Sequence, residues 1–176
     1  MKKMKTLLLF SILFATYSLN AQAQEAPEQR ASPVAIEHIT IDDTYIKVVY
    51  GQPHKLDRVI FGDLVPYNEV WRAGANEATE ITLTGDIEIG GQQLEAGTYS
   101  LFAIPSEDQW TMIVSNQLGE WGAFTYDDSK DVLRFDVPVT NRDTVAEAFT
   151  ISFTEDGSAL NMMWDKTAVS VPVKVN

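Results

Sequence analysis

The sequence predicts an all-β protein: an antiparallel β-sandwich or partly closed barrel of about nine or ten short strands, with one short helix in a long loop. Three observations carry this reading. Apolar residues recur at every second position through most of the chain, turn residues break these runs at short intervals, and there is neither an internal repeat nor a strong amphipathic helix.

The chain opens on a segment of a different kind. Lys2, Lys3 and Lys5 precede an apolar run over residues 7–19, and Ala21-Gln22-Ala23 places small residues at −3 and −1 of a cleavage site before Gln24. This is the pattern of a secretory signal peptide, residues 1–23, and implies export to the periplasm or the exterior. The run is too short for a span of about 20 residues, and no Cys follows it to take a lipid. Residues 24–37 read as a polar tether with a partly ordered lead-in, and 38–176 as one β-sandwich-like domain, long enough for a full core.

The strands follow in order. Ile46, Val48 and Tyr50 share a face, as do Thr79, Ile81 and Leu83 against Glu80, Thr82 and Thr84. Gly90-Gly91 signals a tight turn. TYSLFAI, residues 98–104, is apolar on both faces at its centre and belongs mid-sheet. After a turn at residues 105–108 comes WTMIVS. Leu133, Phe135, Val137 and Val139 then oppose Arg134 and Asp136; Phe149, Ile151 and Phe153 alternate with hydroxyl residues; and a turn at residues 155–157 leads to inward Leu160, Met162 and Trp164. Val169, Val171, Val173 and Val175 close the chain, where Pro172 suggests an edge strand.

Two stretches depart from this rhythm, residues 51–77 and 116–130. Irregular segments this long are uncommon in compact domains, and function concentrates on loops held by a rigid scaffold. Within the first, Pro66 can open a turn of helix over residues 66–72, with Gly74 as a left-handed stop and Asn76 tolerating the same conformation. Trp71 would then plug the open end of the sandwich, and Arg72 would pair with Glu77 or a backbone carbonyl. The same residues suit a ligand site: Arg72 offers a planar fork, Asn76 and Glu77 offer polar partners, and Tyr67 and Trp71 offer flat apolar faces. The candidate binding residues are therefore Tyr67, Trp71, Arg72, Asn76 and Glu77, with Arg58 and Trp121 as contributors. Their expected ligand is small and polar, a saccharide or a peptide fragment.

IFGDLVPYNEVWRAGANEATEITL, LEAGTYSLFAIP, Trp110, Trp121-Gly122 and DVLRFDV resemble the secreted bacterial family known as domain of unknown function 2911, from about Arg30 to the end. The resemblance implies an exported β-rich domain and carries no assigned catalytic residue. Gln52, Asp57 and Ala73 stand where the family often has Arg, Gly and Thr.

Composition excludes several functions. The formal net charge of −12 disfavours nucleic acid and anionic lipid as partners, and removal of the signal lysines deepens it. With no Cys there is neither a disulfide nor thiol chemistry. No nucleophile elbow, phosphate-binding loop or dinucleotide fingerprint occurs. His38 and His54 could join Glu69 or Glu77 on a metal, but their spacing does not require it, and the acidic run at residues 126–131 lacks calcium-loop spacing; no metal or cofactor is assigned. A hydrolase using carboxylates such as Glu77 and Asp127 is the alternative activity. A structural or protein-interaction domain is the third reading. Trp110 and Trp121 could stack on a sugar, although a core position is the commoner fate of such a Trp.

Overall fold

The structure, a computed structural model, describes residues 30–175. The expected signal peptide lies outside these residues. Nine strands form one antiparallel sheet that does not close: β1 (Val34–Ile41), β2 (Thr44–Gly51), β3 (Thr79–Leu83), β4 (Ile87–Ile89), β5 (Gln92–Leu94), β6 (Gly97–Pro105), β7 (Gln109–Ser115), β8 (Asp131–Phe153) and β9 (Ala159–Val175). Their order is β1-β2-β3-β6-β7-β8-β9-β4-β5. Among the described residues the only helix is a 3₁₀ turn, Asp128–Lys130, capped by the Asp127 side chain accepting from the Ser129 N–H, and no helix is long and apolar enough to cross a membrane.

The two long strands make the sheet fold over. β8 pairs with β7 up to Pro138 and with β9 from Val139 onward, with register shifts between Asn141 and Thr150. β9 in turn pairs with β8 as far as Val169 and with β4 from Val173. Alternate residues of nearly every strand therefore meet in one core that includes Ile46, Ile81, Leu101, Trp110, Phe149 and Trp164. β6 lies between β3 and β7, and its central residues are buried on both faces, as their apolar run predicts. On the outer face Phe102, Ile113 and Ala78 make a second, small cluster beneath Val70, Ala123 and Tyr126 of the long loops.

Two expectations are corrected. β9 is not an edge strand. Pro172 falls between the end of its β8 ladder and the start of its β4 ladder, so the missing N–H interrupts neither, and the Pro172 carbonyl still accepts from Gly90. Nor is there a helix over residues 66–72. β6 extends beyond β3 and would leave its edge groups at Ala103 and Pro105 unpaired. The loop satisfies them: the Asn68 N–H donates to the Pro105 carbonyl (2.8 Å), and Trp71 and Ala103 exchange N–H···O bonds of 2.7 and 2.8 Å. A helix would have turned the Trp71 N–H onto the Tyr67 carbonyl and, being coiled, could not have run along β6 to pair its edge.

Gly90 and Gly91 form the two-residue β4–β5 turn with φ of +58° and +78°, the pair of positive values a type I′ turn demands. A Cβ on Gly90 would lie 2.2 Å from the Phe135 ring, whereas one on Gly91 would meet open space. Gly90→Ala is expected to lose about 2–3 kcal/mol in chemical denaturation, from backbone strain and overpacking together, and Gly91→Ala only about 1 kcal/mol from strain alone. Equal losses at the two positions would contradict the packing role of Gly90.

Candidate functional site

The site begins with Trp71. Its backbone is tied to Ala103, so locally it behaves as a strand residue whose neighbours face the other way. Its indole is 8 % exposed and sits in an aromatic group, with ring centroids 5.1 Å from Phe149, 5.7 Å from Trp110, 6.0 Å from Phe61 and 6.2 Å from Trp164. The indole N–H donates to the Gly74 carbonyl at 3.1 Å. With Trp71 turned inward, Arg72 faces outward.

The residues that follow are braced by backbone hydrogen bonds. Ala73 and Asn76 adopt left-handed φ of +49° and +63°; Gly74, the expected left-handed residue, does not. What Gly74 supplies instead is room, since a Cβ there would come within 3.0 Å of the Gly51 carbonyl. The Arg72 carbonyl accepts from the Thr79 N–H (3.1 Å), the Ala73 carbonyl from the Thr79 hydroxyl (2.6 Å), and the Asn76 carbonyl from the Gly122 N–H (3.0 Å). The last of these, with the Ala78 N–H on the Glu120 carbonyl (2.8 Å), joins the two long loops.

Against this braced backbone the side chains divide. Asn76 donates to the Ser32 carbonyl at 3.0 Å. Glu77 is paired with Arg30 at 2.8 Å and not, as expected, with Arg72. Its carboxyl is held below the ordinary carboxylate range, chiefly by its own backbone N–H and further by Arg30, against a smaller opposing effect of burial. Arg58 donates to the His54 and Lys55 carbonyls. Arg72 alone of these polar residues makes no hydrogen bond or ion pair among the described residues, and its Nε is shut off from solvent without an acceptor. Burial pushes its guanidinium below the usual arginine value. Trp110, Asp131 and Arg142 also have one orphaned atom each, but Asp131 and Arg142 are engaged through another polar atom, and Trp110 is uncharged.

Arg72 stands in a wall common to two clefts, together with Trp71, Leu64 and Val65. One, of about 260 Å³, also takes in Arg58, Asn76 and Ser32. The other, of about 340 Å³, lies between the two long loops and is bounded by Pro66, Glu69, Val70 and Phe124. The structure thus brings Arg58, Trp71, Arg72 and Asn76 together. It leaves out Tyr67, whose ring lies against Gly62; Glu77, which belongs to a different hollow beside Val34 and Val49; and Trp121, which is 58 % exposed and paired through its backbone with Glu77. Trp110 is fully buried and cannot stack on a sugar. Phe124 is a cleft residue that strand and loop patterns did not single out, and Glu69 entered only as a partner for a metal. The available signal was an aromatic residue in a polar, glycine-containing loop, and Phe124 is 86 % exposed.

The carboxyls considered for hydrolysis have local duties. Asp127 caps the 3₁₀ turn and is held low mainly by its hydrogen bonds with Ser129, and Glu77 is held low as described, so neither is tuned to donate a proton near neutral pH. Both should titrate by NMR below the ordinary carboxylate range. Arg30→Ala should return Glu77 only part of the way, because its own N–H is the larger cause; complete return would overturn that order.

Removing Trp71 and removing Arg72 should have different consequences. Trp71→Ala empties the aromatic group and should cost about 3–5 kcal/mol of unfolding free energy. Arg72→Met removes an unpaired, half-buried charge and should leave stability unchanged or higher, within about 1 kcal/mol. A large loss on Arg72→Met would mark the guanidinium as a brace.

Neither a curated protein nor a solved structure matches the chain. A family model described as "Protein of unknown function (DUF2911)" matches residues 32–173, which reach into every strand above, and the chain belongs to that family.

Proposed function

We propose that this protein is an exported binding module for a small polar ligand bearing an acid group, a saccharide or a peptide fragment, with Arg72 as the principal recognition residue. The observation that supports this reading is the unpartnered Arg72 guanidinium in the wall shared by two clefts. A half-buried cation without a counter-ion is unfavourable for folding, and a carboxylate that supplies two acceptors in the plane of the guanidinium relieves that cost on binding. Arg58, fixed by two backbone carbonyls, adds positive charge to the smaller cleft without having to be ordered first. The surrounding loop backbone is already hydrogen-bonded, so the site is largely preformed.

The test is titration calorimetry of the purified domain with uncapped dipeptides and with digalacturonate. At least one should bind, and Arg72→Ala should weaken it about tenfold or more, the loss of roughly 1.5–3 kcal/mol expected for a hydrogen bond to a charged group. The melting temperature should stay within a few degrees of the parent, as about 1 kcal/mol implies for a domain of this size. Binding that is indifferent to Arg72→Ala, or no binding by either class, would overturn the proposal.

A further inference from the structure

The larger cleft carries two opposite charges that do not neutralise each other. Glu69 and Arg72 both line it, yet the ion pairs among the described residues are Arg30–Glu77, Lys55–Asp165 and Arg134–Asp131. Glu69 makes no hydrogen bond either, while Arg72 has an orphaned Nε. Their backbones explain the separation. Asn68, just before Glu69, is left-handed and anchored to Pro105, and Trp71, just before Arg72, is anchored to Ala103. The two side chains therefore leave a pinned backbone that does not form the helical turn in which positions three apart become neighbours.

The rest of the lining is apolar. Leu64, at 43 % exposure, and Phe124, at 86 %, flank the cleft with Val65, Pro66 and Val70. Exposed side chains of this size around a cavity of about 340 Å³ are what an apolar group of a ligand would cover, and the volume falls within the range of roughly 300–1,000 Å³ typical of small-molecule sites. A saccharide asks for something else: several planar amide or carboxylate partners around an aromatic platform. Here the polar inventory is one anion and one cation.

We infer that the ligand is zwitterionic: a short peptide with both ends free, its α-carboxylate on Arg72, its α-ammonium on Glu69, and an apolar side chain under Phe124. This deepens the binding reading above and rests on it. Each terminus meets the charge it needs, and because Glu69 and Arg72 form no ion pair with each other, each is left to take one end of such a molecule. A free carboxylate without an ammonium would satisfy Arg72 and leave Glu69 unpaired.

Four probes decide it by calorimetry: leucyl-leucine, its N-acetyl derivative, its C-terminal amide, and digalacturonate, a carboxylate with no ammonium. Leucyl-leucine should bind the parent protein, and each capped form should bind about tenfold more weakly or worse. Glu69→Gln should weaken leucyl-leucine by a similar factor and leave the N-acetyl form unchanged, so that the penalty for acetylation disappears in that variant. Phe124→Ser should weaken all three peptides together. Glu69 and Phe124 are both exposed, and unchanged melting temperatures would show that the variants are folded. Equal binding of free and capped peptides overturns the assignment of the termini. Arg72-dependent binding of digalacturonate without binding of leucyl-leucine overturns the peptide inference while leaving the acid-binding proposal standing. If no probe binds the parent protein, both fail.

Discussion

The burial of Trp71 is the constraint from which the rest of the site follows. An indole brings a large apolar surface and one N–H that usually finds an acceptor when it is removed from water. Here the rings of Phe61, Trp110, Phe149 and Trp164 receive the surface and the Gly74 carbonyl receives the N–H. That carbonyl reaches the indole because the chain reverses through Ala73 in a left-handed conformation and because Gly74 lies close against Gly51. A long irregular loop, entropically unfavourable to order, is thereby held to the core at its midpoint.

The same anchor accounts for the unusual state of Arg72. In an extended segment a residue next to an inward Trp has no choice of side. Arg72 emerges between the core and the loop surface, where it is half-buried and where its backbone carbonyl is already engaged by Thr79. Ordinary surface arginines swing toward a carboxylate or into water. The nearby acids are unavailable for this purpose: Glu77 is joined to Arg30, and Glu69 is held away by the Asn68 and Trp71 anchors. The unsatisfied cation is thus a consequence of how its neighbours are fixed.

The sheet was legible in the sequence to the degree that side-chain alternation reports on burial. Ile46, Val48 and Tyr50, the Leu160–Met162–Trp164 set and the Gly90-Gly91 turn all occupy the positions their pattern implies. The helix over residues 66–72 was misread because Pro66 and Gly74 are local signals, and the competing demand came from the distant edge of β6. The same limitation misplaced the Pro172 strand, whose neighbours change partway along its length. For the site, the pattern of polar and aromatic residues named Arg58, Trp71, Arg72 and Asn76, which line one cleft. It could not show that Glu77 is claimed by Arg30, nor that Phe124, from the other long loop, meets residues about 60 positions earlier in the cleft wall.

β8 has a consequence for how the molecule comes apart. Its first part completes the ladder of β7 and its later part carries that of β9, so the two halves of the sheet share this one strand. Loosening one half frees backbone groups that the other half also needs nearby, which couples the two into a single melting unit without any covalent cross-link. The same continuity makes assembly slow: partners such as Tyr50 and Ile151 must find one another across most of the chain before either side is rewarded. Amide protons of β8 bonded into either ladder, away from the register shifts between Asn141 and Thr150, would then exchange only through global opening, while those on the flanking loops escape by smaller motions.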